Sequence, residues 1–348
     1  MNIIVQKFGG TSVSTEDRRK QVAVKVKEAI DNGFTPIVVV SAMGRKGQPY
    51  ATDTLLTLID DKFKESNRNS KDLLMCCGEI ISSVVVANAL YNEGIQAVPL
   101  TGGQAGIITD DNFCEAEYIS IDIDRLLSVV REGKVPVVTG FQGITKDGYF
   151  TTLGRGGSDT TACILGNAVN AKEIEIYTDV DGIMTADPRI VEDASLIDEI
   201  TYNEVFQLAD QGAKVIHPKA IDLAKKGNIP LFIKNTMGES KGTLVSNNTI
   251  GNERRYITGI TYLNNRIQVR IRLSENSNIK VYQNLLEILA KNHISLDLIN
   301  IFPAHQFFTV DKSEKENVCS ILELVGIKYS IIEECSTIAI VGAGMTGV

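Results

Sequence analysis

The segment Leu153–Ala162, with the sequence LGRGGSDTTA, contains residue types suited to binding a small anionic ligand. Its three closely spaced glycines let the backbone approach a ligand and adopt positive φ angles. The polar residues that follow them predict the start of an apolar helix, whose first N–H groups and positive dipole end would face the glycines. Arg155, within the loop, has a planar guanidinium that can hold a carboxylate at two points. The segment therefore predicts a site for an anion and a carboxylate.

A glycine pair near the N-terminus is a second candidate. The apolar run Ile3–Val5 predicts a buried strand, Gly9 and Gly10 follow it, and a helix with Ser14 as its N-cap comes next. A strand, a glycine pair and a helix together form a geometry that binds phosphate at the helix N-terminus, and Lys7 would add a positive charge. Alternatively, Lys7 is a surface residue before a tight turn. The segment is not a Walker loop, because the pattern G-x-x-x-x-G-K-[ST] is absent.

Three further segments contain candidate residues. Glu79 lies in a predicted helix over Lys71–Asn92, either as a helix-surface acid or as a carboxylate that faces a substrate ammonium. The acid-rich segment Thr178–Arg189 lacks the register of an EF-hand loop and fits a nucleotide-lining loop better, with Arg189 towards phosphate. His217 is predicted to pack or to cap a helix rather than to catalyse.

Composition limits the class of protein. A chain of 348 residues should form more than one domain. The net charge of −8, without long blocks of like charge, argues against a nucleic-acid surface. The six cysteines show no C-x-x-C spacing and are expected to be small buried residues. We find no targeting segment and no run of the roughly 20 apolar residues that a membrane span needs, so we expect a cytoplasmic protein.

The order of elements predicts two kinds of domain. Strands alternate with helices over residues 1–250, which indicates an α/β domain with a mostly parallel sheet covered on both faces. The order over residues 257–333 is β-α-β-β-α-β, the small ferredoxin-like unit. A further strand, Thr337–Val341, is predicted to open another unit over 334–348. The G-x-G-x-x-G pattern at Gly342–Gly347 is rejected as a dinucleotide site because no helix, second strand and distant acid follow it.

Taken together, four segments resemble the aspartokinases of the amino-acid kinase superfamily, and the resemblance covers the whole chain. They are the loop LGRGGSDTTA, KFGGTSV at 7–13, TDVDG at 178–182 and GAKV at 212–215. SAMGRKG at 41–47 and PYATD at 49–53 are most similar to the lysine/diaminopimelate-branch enzymes of Gram-positive bacteria. The resemblance implies an αβα-sandwich kinase domain at 1–250, a regulatory ACT domain at 257–333, and the first strand of an incomplete second ACT domain at 334–348.

The resemblance also implies an activity and roles for single residues. The activity is phosphorylation of the side-chain carboxylate of L-aspartate by MgATP, which gives 4-phospho-L-aspartate for lysine, threonine and methionine synthesis. Lys7, Asp159 and Lys214 would be catalytic, with Asp159 orienting the two lysines, and Mg²⁺ would be carried by ATP without direct protein ligands. The implied ATP-binding residues are Lys7, Phe8, Gly9, Gly10, Thr178, Asp179, Met184, Arg189, Lys214 and Val215. The implied aspartate-binding residues are Ser41, Thr52, Glu79, Arg155 and Ser158.

Elementary chemistry agrees with this activity. A carboxylate with a reference pKa of about 3.9 is already ionised at neutral pH, so the nucleophile needs no general base. The task is then to align two anions and to neutralise the charge on the phosphoryl group, which lysines, glycine-loop amides and Mg²⁺ can do. Arg155 and Glu79 match the two opposite charges of an amino acid.

The resemblance further implies a homodimer formed through the ACT domains and an amino-acid effector: lysine, diaminopimelate or threonine. One departure concerns the loop Ser274–Asn278, which lacks the Pro-Gly that the family usually has there. Asn278 and Asp297 still occupy plausible polar positions for an effector.

Two alternatives stay open from the sequence. One is another kinase of the same fold, such as an acetylglutamate, glutamate or uridylate kinase. The other is a catalytically silent, amino-acid-binding regulatory subunit.

Overall fold

The structure is a computed structural model that describes residues 1–213, 215–247, 256–272, 279–302 and 304–342, with the backbone alone over 279–283. The described chain divides into two compact units, one formed by Met1–Gly259 with Gly342 and the other by Ile260–Val341. The predicted boundary between 250 and 257 falls mostly outside the described residues. The division into domains therefore stays a prediction at that boundary.

The first unit alternates strands and helices as predicted. Its strands are β1 Ile3–Phe8, β2 Thr35–Val40, β3 Ala97–Leu100, β4 Ile107–Thr109, β5 Tyr118–Ile121, β6 Val135–Thr139, β7 Gln142–Ile144, β8 Phe150–Thr152, β9 Glu173–Thr178, β10 Glu199–Thr201, β11 Leu231–Asn235 and β12 Thr243–Ser246. Its helices are α1 Glu16–Asp31, α2 Thr52–Leu55, α3 Asp61–Ser66, α4 Arg68–Asn92, α5 Asp124–Arg131, α6 Gly157–Ala168, α7 Tyr202–Asp210 and α8 Pro218–Gly227. A short 3₁₀ helix spans Leu56–Leu58.

A mostly parallel sheet forms the centre of this unit. Among the described residues it has eight strands in the order β10-β12-β11-β9-β1-β2-β6-β3. The pairing of β11 with β12 is antiparallel, whereas β1 pairs in parallel with both β2 and β9. The predicted fold class, an α/β protein with a mostly parallel central sheet, is confirmed.

The two faces of the sheet carry different helices because successive side chains of a strand point to opposite faces. On β1, the Gln6 amide donates towards the Lys25 carbonyl of α1, whereas the adjacent Lys7 ammonium contacts Asp159 of α6. Helices α1 and α4 share one apolar core with β1, β2 and β6, and α8 packs on α6. The result is the predicted αβα sandwich.

A second, small sheet in the order β5-β4-β7-β8 was not predicted. Three of its strands have three residues each, too short for a two-residue hydrophobic period to be recognised. The pairing of β4 with β5 and of β7 with β8 is antiparallel. This sheet matters for function because β8 leads directly into the glycine loop at Leu153.

Of the predicted starts of α1, α7 and α8, those of α7 and α8 agree with the structure and that of α1 does not. The capping box that opens α7 at Thr201 is present, and the His217 imidazole accepts a hydrogen bond from the Lys219 N–H at the start of α8. The expected N-cap of α1 was wrong: the cap is Thr15 rather than Ser14. The Ser14 hydroxyl instead donates to the Thr11 carbonyl at 2.8 Å, so it is engaged in the preceding turn.

Helix α4 is, within the described residues, long and apolar enough to match a membrane span by length and composition, contrary to our expectation that no such segment exists. Half of its most apolar window is nevertheless buried inside the protein, and Asp72 and Glu79 lie on its buried side. Both features are typical of the core helix of a globular domain.

The second unit has the predicted ferredoxin-like order of elements: β13 Gly259–Arg272, α9 Ile279–Lys291, β14 Leu298–Ile301, β15 His305–Asp311, α10 Lys315–Leu324 and β16 Tyr329–Val341, with a 3₁₀ helix at Lys312–Glu314. Its sheet has the order β14-β15-β13-β16, and α9 and α10 cover an apolar core. The sequence placed two strands, Ile327–Ile332 and Thr337–Val341, where the structure has the single strand β16. The boundary predicted at 334 therefore lies inside a strand. Glu334, with a φ of 57°, accounts for the interrupted pattern.

Candidate active site

Four parallel strands of the central sheet end side by side at one edge. Beyond their ends the backbone hydrogen bonds continue: Gly9 N–H donates to the Tyr177 carbonyl at 3.1 Å, Ser41 N–H to Phe8 at 3.2 Å, and Gly140 N–H to Val40 at 2.9 Å. The loops after β1, β2, β6 and β9 are therefore held together. Ligands of open α/β sheets bind beyond the carboxyl ends of the strands. They bind at the point where the connections from two neighbouring strands run in opposite directions.

A cleft of about 290 Å³ opens at this edge. Seven residues that the sequence singled out line it: Lys7, Ser41, Thr52, Glu79, Arg155, Ser158 and Asp159. They come from β1, the loop after β2, α2, α4, the glycine loop and α6, which span more than 150 residues of sequence. Every residue predicted to bind aspartate lies in this one cleft.

The charged pair at the base of the cleft is Lys7 and Asp159. The Lys7 ammonium lies 2.6 Å from the Asp159 carboxylate, and the two side chains are 11% and 12% exposed. A partly buried lysine with a close carboxylate partner is held in one place, where an incoming anion can contact it. Asp159, which is predicted to orient two lysines, thus contacts Lys7. Lys214, its other predicted partner, lies outside the described residues.

Glu79 reaches the cleft from the middle of α4. Its side chain is 3% exposed, and one carboxylate oxygen accepts a hydrogen bond from the Ala42 N–H at 3.0 Å. Burial raises the pKa of Glu79 to about 8, against the smaller opposite effect of the Ala42 hydrogen bond. The second oxygen is buried and has no hydrogen-bond partner in the described residues. Of the two interpretations, the structure excludes the helix-surface acid.

Arg155 lies in the glycine loop, exposed and without an ion-pair partner among the residues described. The loop turns at Gly156, which is the N-cap of α6 and has a φ of 70°. A Cβ at Gly156 would lie 2.2 Å from the Cβ of His217, so only glycine fits there. The loop thus presents the guanidinium of Arg155 and the N-terminal end of α6 to the same cleft.

Three of the residues predicted to bind ATP, Gly9, Gly10 and Thr178, lie at the strand ends beside the cleft. Gly9 lies close to the Lys7 ammonium, since a Cβ built on Gly9 would be 3.7 Å from Lys7 Nζ. Gly10 packs on the next loop, where a Cβ would lie 2.5 Å from the Ala42 carbonyl oxygen. Thr178 ends β9, adjacent to β1, and its carbonyl accepts a hydrogen bond from the Thr236 N–H at 3.0 Å.

Apart from Lys7, the other predicted ATP residues that the structure describes also lie outside the lining of the cleft. Phe8 is fully buried and stacks on Tyr177 at 4.8 Å, so only its backbone can face a nucleotide. The Arg189 guanidinium pairs with the Asp187 carboxylate at 2.7 Å and does not line the cleft. Met184 pairs with Leu196 in a β-bridge, away from the cleft lining, and Val215 is half-buried.

Two residues were missed by sequence reasoning, one in the cleft lining and one in the loop after β2. Phe141 lines the cleft with a φ of 71°, unusual for an aromatic residue, and its N–H donates to the Thr161 hydroxyl at 3.0 Å. Arg45 pairs with Asp179 at 2.6 Å and connects the loop after β2 to the loop after β9. The sequence showed the glycine before Phe141, but nothing in it indicated the strained backbone. In the described part of the chain we find no cluster of His, Cys, Asp and Glu that could hold a metal ion.

Comparison with known proteins agrees with this fold. The model of the amino acid kinase family matches residues 2–235. Aspartokinase 1 of Bacillus subtilis is 43% identical over 353 residues, which cover 100% of this chain and 87% of that protein. The aspartokinase of Geobacillus stearothermophilus is 37% identical, covering 99% of this chain and 85% of its own.

Solved structures give the same result. E. coli aspartokinase III in complex with lysine and aspartate has a TM-score of 0.79 at 27% identity, covering 98% of this chain and 87% of that one. The same enzyme with aspartate and ADP has a TM-score of 0.77 at 26% identity, covering 99% and 89%. The chain therefore belongs to the amino acid kinase family. Within that family it belongs to the aspartokinases, as the full-length relatives establish.

Proposed function

We propose that this chain phosphorylates the side-chain carboxylate of L-aspartate with ATP, and that the cleft between Lys7, Glu79 and Arg155 is where aspartate binds. The observation that carries the assignment is the convergence of all five expected aspartate-binding side chains on one cleft that also contains the Lys7–Asp159 pair. Membership of the aspartokinases supports the activity, and E. coli aspartokinase III binds aspartate and ADP.

The cleft can distinguish the two ends of an amino acid by charge. The guanidinium of Arg155 would hold the α-carboxylate through two parallel hydrogen bonds, helped by the hydroxyl groups of Ser41, Thr52 and Ser158. The unpartnered oxygen of Glu79 would accept a hydrogen bond from the α-ammonium. With both ends fixed, the side-chain carboxylate is left to point towards Lys7.

The nucleotide would lie along the edge beside the cleft, over the loops at Gly9, Gly10 and Thr178. Lys7 would then stand between the two reacting anions. Mg²⁺ would arrive on the phosphate oxygens of ATP, the hard oxygen ligands it prefers, and would neutralise phosphate charge during transfer. Lys214, beyond the described residues, remains the predicted second lysine.

The chemistry requires positioning rather than proton transfer. A side-chain oxygen of aspartate forms a bond to the γ-phosphorus of ATP, and the bond between that phosphorus and the β–γ bridging oxygen breaks. The products are 4-phospho-L-aspartate and ADP, and no proton is exchanged with the protein. Lys7 would compensate negative charge on the phosphoryl group during its transfer. The Asp159 carboxylate would fix the ammonium in advance, so that the site needs little reorganisation.

A substrate panel tests the assignment. Purified protein is incubated with MgATP, hydroxylamine and, in turn, aspartate, glutamate and N-acetylglutamate; UMP is followed separately by ADP release. We expect acyl-hydroxamate from aspartate alone. Comparable turnover of glutamate or N-acetylglutamate, or rapid phosphorylation of UMP, would favour another kinase of this fold. Absence of turnover with every substrate would favour a silent, amino-acid-binding subunit.

The second unit is proposed to be a regulatory ACT domain through which two copies associate. Its order of elements supports this, as do exposed apolar residues on its two edge strands: Ile301 on β14, and Ile338 and Ile340 on β16. Lysine is the first effector to test, because E. coli aspartokinase III binds lysine. Diaminopimelate and threonine are the other candidates.

A further inference from the structure

Asp72 is a fully buried carboxylate that does not line the cleft. It lies on α4 and accepts three hydrogen bonds from two other segments. The Thr152 N–H and the Cys114 N–H both donate to Oδ2 at 2.9 Å, and the Thr152 hydroxyl donates to Oδ1 at 2.8 Å. A buried carboxylate with three donors from elsewhere in the chain fixes the relative position of those segments.

The segment that Asp72 holds carries the arginine of the cleft. Thr152 is the last residue of β8, three positions before Arg155. The adjacent Leu153 N–H donates to the carbonyl of the cleft residue Phe141 at 2.9 Å. The backbone at the start of the glycine loop is therefore hydrogen-bonded both to Asp72 of α4 and to the cleft residue Phe141.

Cys114 adds a second support to the same loop. Its φ of 75° is uncommon for a residue other than glycine, and Asp72 accepts the hydrogen bond of its N–H. The carbonyl oxygen of Cys114 lies 3.6 Å from the position of a Cβ on Gly154. The Ala116 N–H donates to the Thr152 carbonyl at 2.9 Å, so the segment that contains Cys114 is also hydrogen-bonded to the end of β8.

The same helix also carries Glu79. Asp72 and Glu79 are seven residues apart, about two turns of an α-helix, and therefore share one face. Glu79 enters the cleft directly, whereas Asp72 acts on the loop before Arg155. Helix α4 thus connects to both charged groups that would hold the two ends of aspartate.

We infer that Asp72 is a positioning residue that sets the distance between Glu79 and Arg155, and thereby the affinity for the amino-acid substrate. The inference rests on the proposed placement of aspartate between those two residues. Asp72 touches neither substrate, and its effect reaches the cleft through Thr152 and the start of the glycine loop. Nucleotide binding, at the ends of β1 and β9, should be independent of it.

The test compares Asp72→Asn with Glu204→Gln. Glu204 is a matched control, because it is also a buried carboxylate on a helix and lies outside the cleft lining. It likewise accepts three hydrogen bonds, from the Thr201 N–H, the Thr201 hydroxyl and the Thr258 hydroxyl. We expect Asp72→Asn to raise the KM for aspartate about tenfold, as misplacement of a binding group does, with the KM for ATP unchanged within about twofold. Glu204→Gln should lower Tm without this change in the KM for aspartate.

Two further variants keep the result decisive if Asp72→Asn does not fold. Thr152→Val removes one of the three hydrogen bonds and should raise the KM for aspartate by a smaller factor, whereas Thr152→Ser, which keeps the hydroxyl, should restore it. Equal changes in the KM of both substrates, or no change in either, would overturn the role of Asp72. Arg155→Ala separates the two proposals. If this variant leaves the KM for aspartate unchanged, the proposed placement of aspartate is wrong, whatever the effect of Asp72→Asn.

Discussion

At the scale of single residues, the cleft depends on two carboxylates in different electrostatic surroundings. Asp159 has an ammonium 2.6 Å away and stabilises a nearby positive charge. Glu79 accepts a hydrogen bond from the Ala42 N–H and is buried, and its burial favours the neutral form. The Asp159 carboxylate therefore fixes the position of the Lys7 ammonium, whereas the Glu79 carboxyl group can respond to the arrival of a cationic group.

Removal of the Lys7 charge tests the role of the Lys7–Asp159 pair. We expect Lys7→Met to lower kcat by at least about 100-fold, because an electrostatic contact to the phosphoryl group is lost. It should also destabilise the fold by about 3–5 kcal/mol, since the Asp159 carboxylate is left buried without its partner. The double variant Lys7→Met/Asp159→Asn should recover much of the thermal stability without recovering kcat. Near-normal turnover by Lys7→Met would refute a role for this lysine in transfer.

The pH dependence of aspartate binding tests the second carboxylate. The pKa of Glu79 in the free protein is raised to about 8, so below that pH the substrate ammonium must displace a proton from the site. We expect the apparent KM for aspartate to fall by up to about tenfold per pH unit between about pH 6 and 8 and to level off above this range. Calorimetry near pH 7 in buffers of different ionisation enthalpy should show a proton released on aspartate binding.

The same shift predicts a stability effect with a definite sign. The pKa of Glu79 in the folded protein is higher than its ordinary value of 4.5, so the folded state binds the proton more tightly than the unfolded state. Its stabilising contribution is complete below about pH 4.5 and is lost as the pH rises towards 8. Glu79→Gln should flatten this part of the curve of unfolding free energy against pH. An unaltered curve would mean that Glu79 is already ionised in the free protein.

At the scale of elements, the start of α6 determines where the glycine loop can lie. Gly156 combines a positive φ with a close approach to His217, which is itself fixed as the N-cap of α8. The N-terminus of α6 is thus placed by a glycine and by a second helix together. Neither α6 nor the loop before it could take this path with a side chain at Gly156.

Two glycine substitutions separate backbone strain from the contact. Gly148 has a φ of 85° with nothing within 4 Å of a Cβ, so Gly148→Ala should cost about 1 kcal/mol of stability and leave activity unchanged. Gly156→Ala meets the same backbone penalty and a clash with the His217 Cβ at 2.2 Å. We expect a larger loss of Tm and a raised KM for aspartate, measured by thermal unfolding and initial rates. Equal effects of the two substitutions would show that the contact with His217 is unimportant.

At the scale of the whole molecule, the proposed association of two copies can be measured directly. Leu324 is 88% exposed and Ile338 70% exposed on the second unit, and such apolar surface favours burial against a partner. We expect a dimer at micromolar concentration in light scattering, shifted towards monomer by Ile338→Glu. A monomer at these concentrations would contradict association through this unit. The exposed charged residue Lys328 offers the control substitution Lys328→Glu, which should leave the mass unchanged.

Much of this organisation could be predicted from local sequence patterns. Apolar runs such as Ile3–Val5 and the helix signal around Thr201 depend on neighbouring residues, so the alternating elements and the capping box were found correctly. The small sheet β5-β4-β7-β8 was missed because its strands are short and because the pairing of β4 with β7 joins segments far apart in the chain. The single strand β16 was divided in two because an interruption of the hydrophobic pattern at Glu334 looks like a turn.

The sequence by itself determined the types of charge that the site would use: a guanidinium between glycines, a lysine before a glycine pair and an acid in an apolar helix. Only the tertiary structure decided that Lys7, Glu79 and Arg155 line one cleft, that Glu79 is buried, and that Phe8 faces the core. The physical reason is that charge and local propensity belong to the residue and its neighbours. Burial and distance depend instead on segments separated by more than 70 residues, which only sheet pairing and helix packing bring together.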